Sequence, residues 1–349
     1  MTTARADSPP VGDTRTLHDT LRAYRGPRLA RSLTEIAVTA APFALLWFLT
    51  WTSVTTGYWA GLALTVPAAG FLVRLFMIQH DCAHGSFFRT RAANNWVGRV
   101  IGILTLTPHD LWRHSHARHH AGSGNLDRPQ VGAIETLTVR RYYALPRLQR
   151  LQYRLYRHPL VLFIIGPVYV FFIEYRWPLR FQRGGWMPWL STMTTNAGIV
   201  ALWAGMMAWL GVSTFLLVHL PIALIASFLG VWLFYVQHQF EETYWAHSDE
   251  WRSRDAALHG SSHYVLPGVL RWFSANIGVH HVHHLCSGIP SYRLPEVLRD
   301  HPELAQVSRI TLSDSLRTPR LALWDEEQQR LISFREARLV HGRPIPQPA

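Results

Sequence analysis

The sequence contains no lysine and only two cysteines, Cys82 and Cys286, so its formal charge of +12 comes from arginine alone. Each cysteine lies inside or beside a histidine cluster, which predicts no disulfide framework and fits a reducing, cytosolic setting. Residues 1–33 carry arginines and prolines but no apolar core followed by a small-residue cleavage site. We therefore predict that no signal peptide is removed.

The sequence also lacks the fingerprint of any nucleic-acid-binding module, despite its positive charge. Long apolar stretches separate the arginine-rich ones. We therefore expect the arginines to face membrane lipids with anionic head groups and an acidic redox partner, and we expect no nucleic acid among the partners.

Four apolar stretches are long enough to cross about 30 Å of hydrocarbon as helices, at about 1.5 Å per residue. They lie at 34–55, 58–79, 190–211 and 213–237, and short connections pair them into two hairpins. A fifth stretch, 160–173, has only fourteen positions and contains a glycine and a proline. It is too short for a span and is predicted to be an interfacial or re-entrant helix.

Arginine is absent from the hairpin tips at 52–57 and 210–214 and abundant in the flanking segments on the other side. By the positive-inside rule, both termini and the long polar segments face the cytosol, in a protein of the cell (inner) membrane. Arg74, near the cytosolic end of the second span, is predicted to snorkel to the interface.

The predicted fold is an all-α integral membrane protein of one domain, with four transmembrane helices in two hairpins and a cytosolic helical cap that holds a metal site. Its parts are a cytosolic arm (1–33), a first hairpin (34–79), a cytosolic segment with an interfacial helix (80–189), a second hairpin (190–237) and a cytosolic cap with a polar tail (238–349).

Histidine is in excess, with 20 residues, and the informative ones form three clusters at the predicted cytosolic side. The clusters are His80 and His84; His116, His119 and His120; and His280, His283 and His284. Because positions i, i+3 and i+4 share one face of a helix, each cluster can aim its imidazoles at a common point. His238, at the end of the fourth span, is placed to supply a ninth. Nine imidazoles are too many for one ion and suit two.

The remaining histidines have ordinary explanations. His219, inside the fourth span, is predicted to be a hydrogen-bonded residue of the helix bundle, and His281 points away from the face of the third cluster. Surface positions are predicted for His109, His158, His301 and His341. Two polar residues, Asp81 and Asn276, are predicted to orient imidazoles through hydrogen bonds.

Imidazole ligands suit zinc, copper, iron or nickel, and their number alone does not choose among these metals. A zinc hydrolase needs only three or four ligands. A pair of iron ions fits better, because two ions can bind dioxygen and share the electrons needed to cleave it. The membrane setting then favours attack on inert C–H bonds of a lipid-soluble substrate.

The histidine clusters and their flanks resemble the membrane fatty acid desaturases, in particular the bacterial acyl-lipid desaturases. The matching stretches are HDCAHGSFF at 80–88, WRHSHARHH at 112–120, YVQHQFEETYW at 235–245, and ALHGSSHYVLP through NIGVHHVHHLCSGIPSYRL at 257–294. The resemblance implies four transmembrane helices under a cytosolic cap, a non-haem centre of two iron ions, and dioxygen-dependent introduction of a cis double bond into an acyl chain. It places the iron ligands at the eight histidines of the three clusters.

The resemblance also bears on the ninth ligand and on the electron donor. His238 matches an additional ligand of the acyl-CoA branch, but Phe234 stands where that branch has a water-binding asparagine. The tail has no HPGG signature of a fused cytochrome b5, which implies a separate donor such as a ferredoxin with its reductase. A lipid-linked acyl substrate is favoured. The resemblance leaves the double-bond position and the alternatives of coenzyme A or carrier protein open.

Two other functions stay open at this point. A hydroxylase or ketolase acting on alkanes or carotenoids would use the same oxidant and insert oxygen instead. A metal transporter or histidine-rich sensor would carry its ligands at mid-membrane depth, whereas the clusters lie outside the predicted spans.

Overall fold

The computed structural model describes residues 14–178 and 185–341, and four long helices dominate it. They are α2 (Leu29–Thr55), α3 (Thr65–His84, preceded by a 3-10 turn at Trp59–Leu64), α9 (Met187–Leu210) and α10 (Val212–His238). Each is long and apolar enough to cross a membrane, α3 together with its 3-10 turn. This confirms the four predicted spans as helices. Helix α2 begins at Leu29, earlier than the predicted boundary at residue 34, and α3 and α10 extend through His84 and His238.

The turn between α9 and α10 is a single residue, Gly211, with φ 84°. Glycine adopts this left-handed conformation without the steric cost that a Cβ would add. Helix α3 packs against both α2 and α10 and is the most buried of the four. Residues such as Leu72, Val218 and Ile222 form the apolar core between these helices. The central position of α3 fixes the place of the two histidines at its end.

Shorter helices pack on α3 or on its neighbours. They are α4 (Arg91–Leu104), α5 (His109–Gly122), α11 (Ser253–His259), α12 (Gly268–Phe273) and α13 (His280–Leu285). Helix α3 ends at His84 because Gly85 takes φ 69° and the amide of Ser86 donates to the carbonyl of Asp81 at 3.0 Å. Helices α4 and α5 both pack on α3, which brings the second histidine cluster beside the first.

The rest of the described chain adds short elements. The helices are α1 (Thr14–Arg22), α6 (Val139–Ala144), α7 (Arg147–Tyr156), α8 (Gly166–Phe172), α14 (Leu294–Asp300), α15 (Leu312–Ser315) and α16 (Phe334–His341). The strands are β1 (Leu137–Thr138), β2 (His263–Val265), β3 (Arg309–Thr311), β4 (Leu321–Asp325) and β5 (Arg330–Ser333). In one sheet β1 runs parallel to β4, which pairs antiparallel with β5; in the other, β2 runs parallel to β3. The sequence did not predict these strands, because runs this short carry no periodicity.

The apolar stretch 160–173 forms a π-helical turn (Val161–Ile165) followed by α8, and it packs against α10. Its axis is bent by 58° from that of α7, and the two pieces together have the length and apolarity of a broken span or a re-entrant loop. The interfacial position of this stretch stays a prediction. Two of the arginines that flank it, Arg180 and Arg183, lie outside the described residues.

The prediction that Arg74 snorkels to the membrane interface is wrong. Its side chain is 4% exposed and forms an ion pair with Glu35 of α2. A buried carboxylate stabilises the guanidinium where it lies, so the side chain has no need to reach for the surface.

Candidate metal centre

Four helices bring the nine predicted histidines together. Helix α3 ends with His80 and His84, and α10 ends with His238. The other two helices, α5 and α13, carry the two triplets. The histidines that close the long helices therefore meet those of the shorter helices packed on them.

Eight of the imidazoles form two groups, and within each group the potential ligand atoms all lie within 4.8 Å of one another. The first group is His80, His84, His116 and His283; the second is His119, His238, His280 and His284. Neighbouring positions on α5 and α13 thus belong to different groups. Each of these two helices contributes to both groups, and so the two sites are adjacent.

His120 lies against the boundary between the groups. Its Nε2 is 3.1 Å from Nε2 of His116 and 3.2 Å from Nε2 of His283, both in the first group. Its ring also stacks on that of His284, in the second group, with centroids 4.0 Å apart. His120 is therefore placed to complete the first group as a fifth imidazole.

The spacing of the nitrogens fits metal ions. In the second group, Nε2 of His238 lies 3.0 Å from Nε2 of both His119 and His280. Two imidazole nitrogens bound side by side to one ion at about 2.1 Å are separated by about 3 Å. The Nε2 atoms of His80, His84 and His284 are buried without a hydrogen-bond partner in the described structure. Such atoms are costly to bury unless a ligand satisfies them, and two metal ions would do so.

The protonation state of the imidazoles also suits metal binding. Burial, reinforced by neighbouring imidazoles, holds the pKa well below the ordinary value of 6.5 for His116, His119, His120, His280, His283 and His284. These rings are therefore neutral near pH 7, and the neutral imidazole is the form that binds metals.

Two hydrogen bonds fix the far side of individual rings. Nδ1 of His80 lies 3.2 Å from Oδ1 of Asp81, and Nδ1 of His238 donates to the carbonyl of Gly260 at 3.0 Å. In a neutral imidazole, a proton held on Nδ1 by such a bond leaves Nε2 available to a metal ion, which is the common arrangement for metal-binding histidines. The predicted role of Asp81 agrees with this geometry. The predicted role of Asn276 does not, because its amide donates to the carbonyl of Ser291 at 3.5 Å rather than to an imidazole.

The other histidines whose side chains the structure describes lie outside the two groups. The ring of His281 turns away, as predicted, and its Nε2 donates to the carbonyl of Leu304 at 2.9 Å. His219 stacks on Phe215, and its Nδ1 accepts from Trp47 at 3.4 Å, in agreement with a role in the bundle. The prediction that His109 lies on the surface is wrong, because it is fully buried against α4. His158 is exposed and His301 half-buried, and the side chain of His341 lies outside what the structure describes.

The sequence did not predict the aromatic residue that contacts two histidines of the first group. The ring of Trp112 stacks on His116 with centroids 4.3 Å apart and lies 5.7 Å from that of His80. It stands four positions before His116 on α5, so the i, i+4 spacing used for the histidines would have identified it.

Two cavities adjoin the centre. The His238 cavity is lined by His119, His238, Gln239, Trp245 and Gly260 among others, and so reaches the second group directly. The α3–α10 cavity lies between two long helices and is lined mainly by apolar residues, among them Leu72, Phe76, Ala226 and Gly230. Phe76 contacts Trp112 with ring centroids 5.2 Å apart, so only two aromatic rings separate this cavity from the first group.

Comparison of the sequence with known proteins shows the family to which the chain is similar. The family model described as "Fatty acid desaturase" matches residues 56–314, which include all nine histidines. A protein of Bacillus subtilis (strain 168) named "Fatty acid desaturase" is 46% identical over 90% of this chain and 88% of its own.

Two further relatives are less similar. The "sn-1 oleoyl-lipid 12-desaturase" of Picosynechococcus sp. is 29% identical over 73% of this chain and 68% of its own. The "sn-1 acyl-lipid omega-3 desaturase (ferredoxin)" of Synechocystis sp. is 29% identical over 63% of this chain and 61% of its own. This chain therefore belongs to the fatty acid desaturase family, as a membrane oxidoreductase that desaturates fatty acids.

Proposed function

We propose that the enzyme introduces a cis double bond into a lipid-linked acyl chain, using dioxygen and a pair of iron ions held by the nine histidines. The observation that carries the proposal is the division of eight imidazoles into two adjacent groups that share α5 and α13. A single ion would need only one such group, whereas a reaction that needs two metal ions side by side needs both.

The iron ions would supply the reductive activation of dioxygen. The balanced reaction takes two hydrogens from neighbouring carbons of the acyl chain, with two electrons and two protons from outside, and reduces one dioxygen to two waters. The six cluster histidines of α5 and α13 would supply neutral ligands. Asp81 is a buried carboxylate that reaches an imidazole of the first group, where it stabilises the proton on Nδ1 of His80.

The α3–α10 cavity supports an acyl substrate. Its walls are mainly apolar, and its hydroxyls are already satisfied: Ser227 donates to the carbonyl of Ala223 at 2.7 Å, and Thr105 donates to Gln79 at 2.6 Å. It therefore offers methylene groups a mainly apolar environment. Its position between two helices of the membrane bundle favours a chain that is attached to a membrane lipid.

The electrons would come from a separate protein. The name of the desaturase from Synechocystis includes the word ferredoxin, which supports a ferredoxin-like electron donor for this chain. With 34 arginines against 22 acidic residues, this chain suits an acidic partner. The arginines that precede and follow 160–173 favour a cytosolic location for the metal centre and both termini, in the cell (inner) membrane.

The test is fatty acid analysis of a host that expresses the chain, by gas chromatography with mass spectrometry after separation of phospholipid, acyl-CoA and acyl-carrier fractions. We expect a new cis-unsaturated acid that appears first in phospholipid and requires oxygen. A His84→Ala variant, expressed at the same level, should not form it. A hydroxylated or keto product would overturn the proposal, and so would full activity of purified protein with zinc alone.

A further inference from the structure

A buried ion pair lies on the path between the membrane helices and the third histidine cluster. Arg74 of α3 and Glu35 of α2 are 4% and 7% exposed in their side chains. Glu35 uses its second oxygen to bind Arg31 at 2.7 Å, and Nε of Arg74 donates to Thr39 at 3.1 Å. Both charges are thus fully engaged. A buried pair of this kind is costly to break from either side, because the remaining charge is left uncompensated.

The remaining contacts of Arg74 are with α12. Its guanidinium donates to the carbonyl of Trp272, in the last turn of that helix, and lies 4.0 Å from the centre of the Trp272 ring. The carbonyls of a last helical turn lack partners within the helix and carry its partial negative charge, so a cation is favoured there. Arg74 therefore fixes the end of α12 on α3.

Helix α12 also fits α3 closely. Phe71 meets the rings of Trp272 and Phe273 edge to face, at 5.7 and 5.0 Å. At Gly70 an added Cβ would lie 2.8 Å from the ring of Phe273, so the two helices approach at a position that only glycine permits. The position of α12 against α3 thus depends on Arg74 and, one turn earlier on α3, on Gly70.

The segment between α12 and His280 is held in one conformation by its backbone angles and hydrogen bonds. Ala275 and Asn276 both adopt left-handed backbone conformations, with φ 48° and 60°. Non-glycine residues rarely do so, and two in succession persist only where the surroundings impose them. The amide of Asn276 donates to the carbonyl of Arg271 at 2.9 Å, and that of Val279 to the carbonyl of Asn276 at 3.0 Å. The end of α12 therefore sets the start of α13.

We propose that the Arg74–Glu35 pair is a positioning device that seats α12 and thereby holds the third histidine cluster in register with the first. Arg74 stands on the helix that carries His80, and α12 leads directly into His280. The inference rests on the proposed two-ion centre. It assigns no contact between Arg74 and a metal ion, a substrate or dioxygen.

The two ions should differ in their dependence on this pair. Displacement of α13 removes His280 and His284 from the second group, which leaves only two of its four imidazoles in place. The first group loses only His283 and has His120 beside it. Loss of Arg74 should therefore weaken the second ion more than the first.

Cobalt(II) titration of the full chain in detergent tests this, with bound cobalt counted and its visible absorption recorded beside the thermal unfolding midpoint. We expect two ions in the unchanged protein, and in Arg74→Gln a second ion bound about tenfold or more weakly with an altered spectrum. Arg74→Lys should restore part of this affinity, since it keeps the charge. Gly70→Ala should reproduce the loss without touching the ion pair. Arg140→Gln removes an exposed ion pair with Glu326 and is the matched control.

The outcomes separate the two proposals. If the unchanged protein binds only one cobalt ion, the two-ion centre is wrong. If it binds two, and both Arg74→Gln and Gly70→Ala also bind two with the original affinity and spectrum, the positioning role is wrong even if their unfolding midpoints fall. If either Arg74→Gln or Gly70→Ala does not fold, the cobalt affinity and spectrum of the other variant test the positioning role.

Discussion

The carboxylate of Asp81 joins the first histidine cluster to the segment after the third, because its Oδ2 accepts the backbone amide of Ser291 at 2.7 Å while its Oδ1 faces His80. Because both oxygens accept a hydrogen bond, this position requires a carboxylate. An amide in its place presents only one acceptor. The bond to Ser291 therefore holds the carboxylate in the orientation that His80 needs.

Asp81→Asn should weaken metal binding by about 10- to 100-fold, as is usual when the partner of a metal-binding histidine is lost. Iron content after dialysis against a graded chelator measures this. Asp249→Asn, at an exposed position, is the control. Unchanged iron retention in Asp81→Asn would show that the carboxylate does not orient His80.

Alanine replacement of any of the eight histidines in the three clusters should abolish desaturation, because each would remove a bond to iron. The metal count should tell the groups apart: His84→Ala weakens the first ion and His238→Ala the second. His158→Ala, at an exposed position, should keep full activity. Near-full activity of a cluster variant would remove that histidine from the set, and a loss of only a few-fold in His238→Ala would make it a residue that acts through another ligand.

The metal-free protein should lose stability as the pH falls below the ordinary histidine pKa of 6.5. The unfolded chain takes up protons there, whereas the buried rings, whose pKa is held lower, remain neutral, so protonation favours unfolding. At higher pH both states are neutral and the effect disappears. Thermal unfolding midpoints between about pH 7 and pH 5 should fall for the metal-free protein, and at least as much for the metal-loaded one, because bound metal also keeps the folded-state rings unprotonated. A flat profile for the metal-free protein would contradict the buried, neutral site.

Gly230→Leu should shorten the acyl chains that the enzyme accepts. Gly230 lines the α3–α10 cavity, and a Cβ built there meets no atom within 4 Å, so a larger side chain can enter the cavity without displacing the helix. Competition between saturated chains of different lengths gives the product ratio. Gly205→Leu on α9, which also has free space around its Cβ but does not line the cavity, is the control. An unchanged ratio in Gly230→Leu would place the acyl chain elsewhere.

Single cysteines at Gln149 and Gln182, in a background free of Cys82 and Cys286, should react alike with a membrane-impermeant reagent. The first position lies on α7, and the second lies outside the described residues. Equal reactivity is expected if the stretch 160–173 stays in the interface. Opposite reactivity would mean a fifth span, and the second and third histidine clusters would then lie on opposite sides of the membrane.

The sequence predicted the parts of this fold that repeat along the chain. Long apolar runs identified α2, α3, α9 and α10, and the i, i+3, i+4 spacing identified eight imidazoles on common helix faces. Their division into two groups was not predictable, because it depends on how the rings of α5 and α13 meet one another at the end of α3. The pairing of Arg74 with Glu35 was missed for the same reason. One charge in an apolar segment shows no partner until the neighbouring helix is in place.

The burial of His109 shows the same limit for a single side chain. Its ring lies directly over Gly98 of α4, at a distance where an added Cβ would clash with it. The close approach therefore requires a glycine on a helix that precedes His109 in the chain. Burial of a polar residue against a glycine on another helix leaves no local pattern in the sequence.

The distribution of ligands has a consequence for biosynthesis. Each group needs imidazoles from α13, near the end of the chain, together with imidazoles from helices that are made much earlier. A chain released before residue 280 would hold only His80, His84 and His116 of the first group and only His119 and His238 of the second. Because chains are made from the N-terminus, neither site can be completed until synthesis has passed α13. A truncated product would thus be inserted in the membrane with neither group of histidines complete.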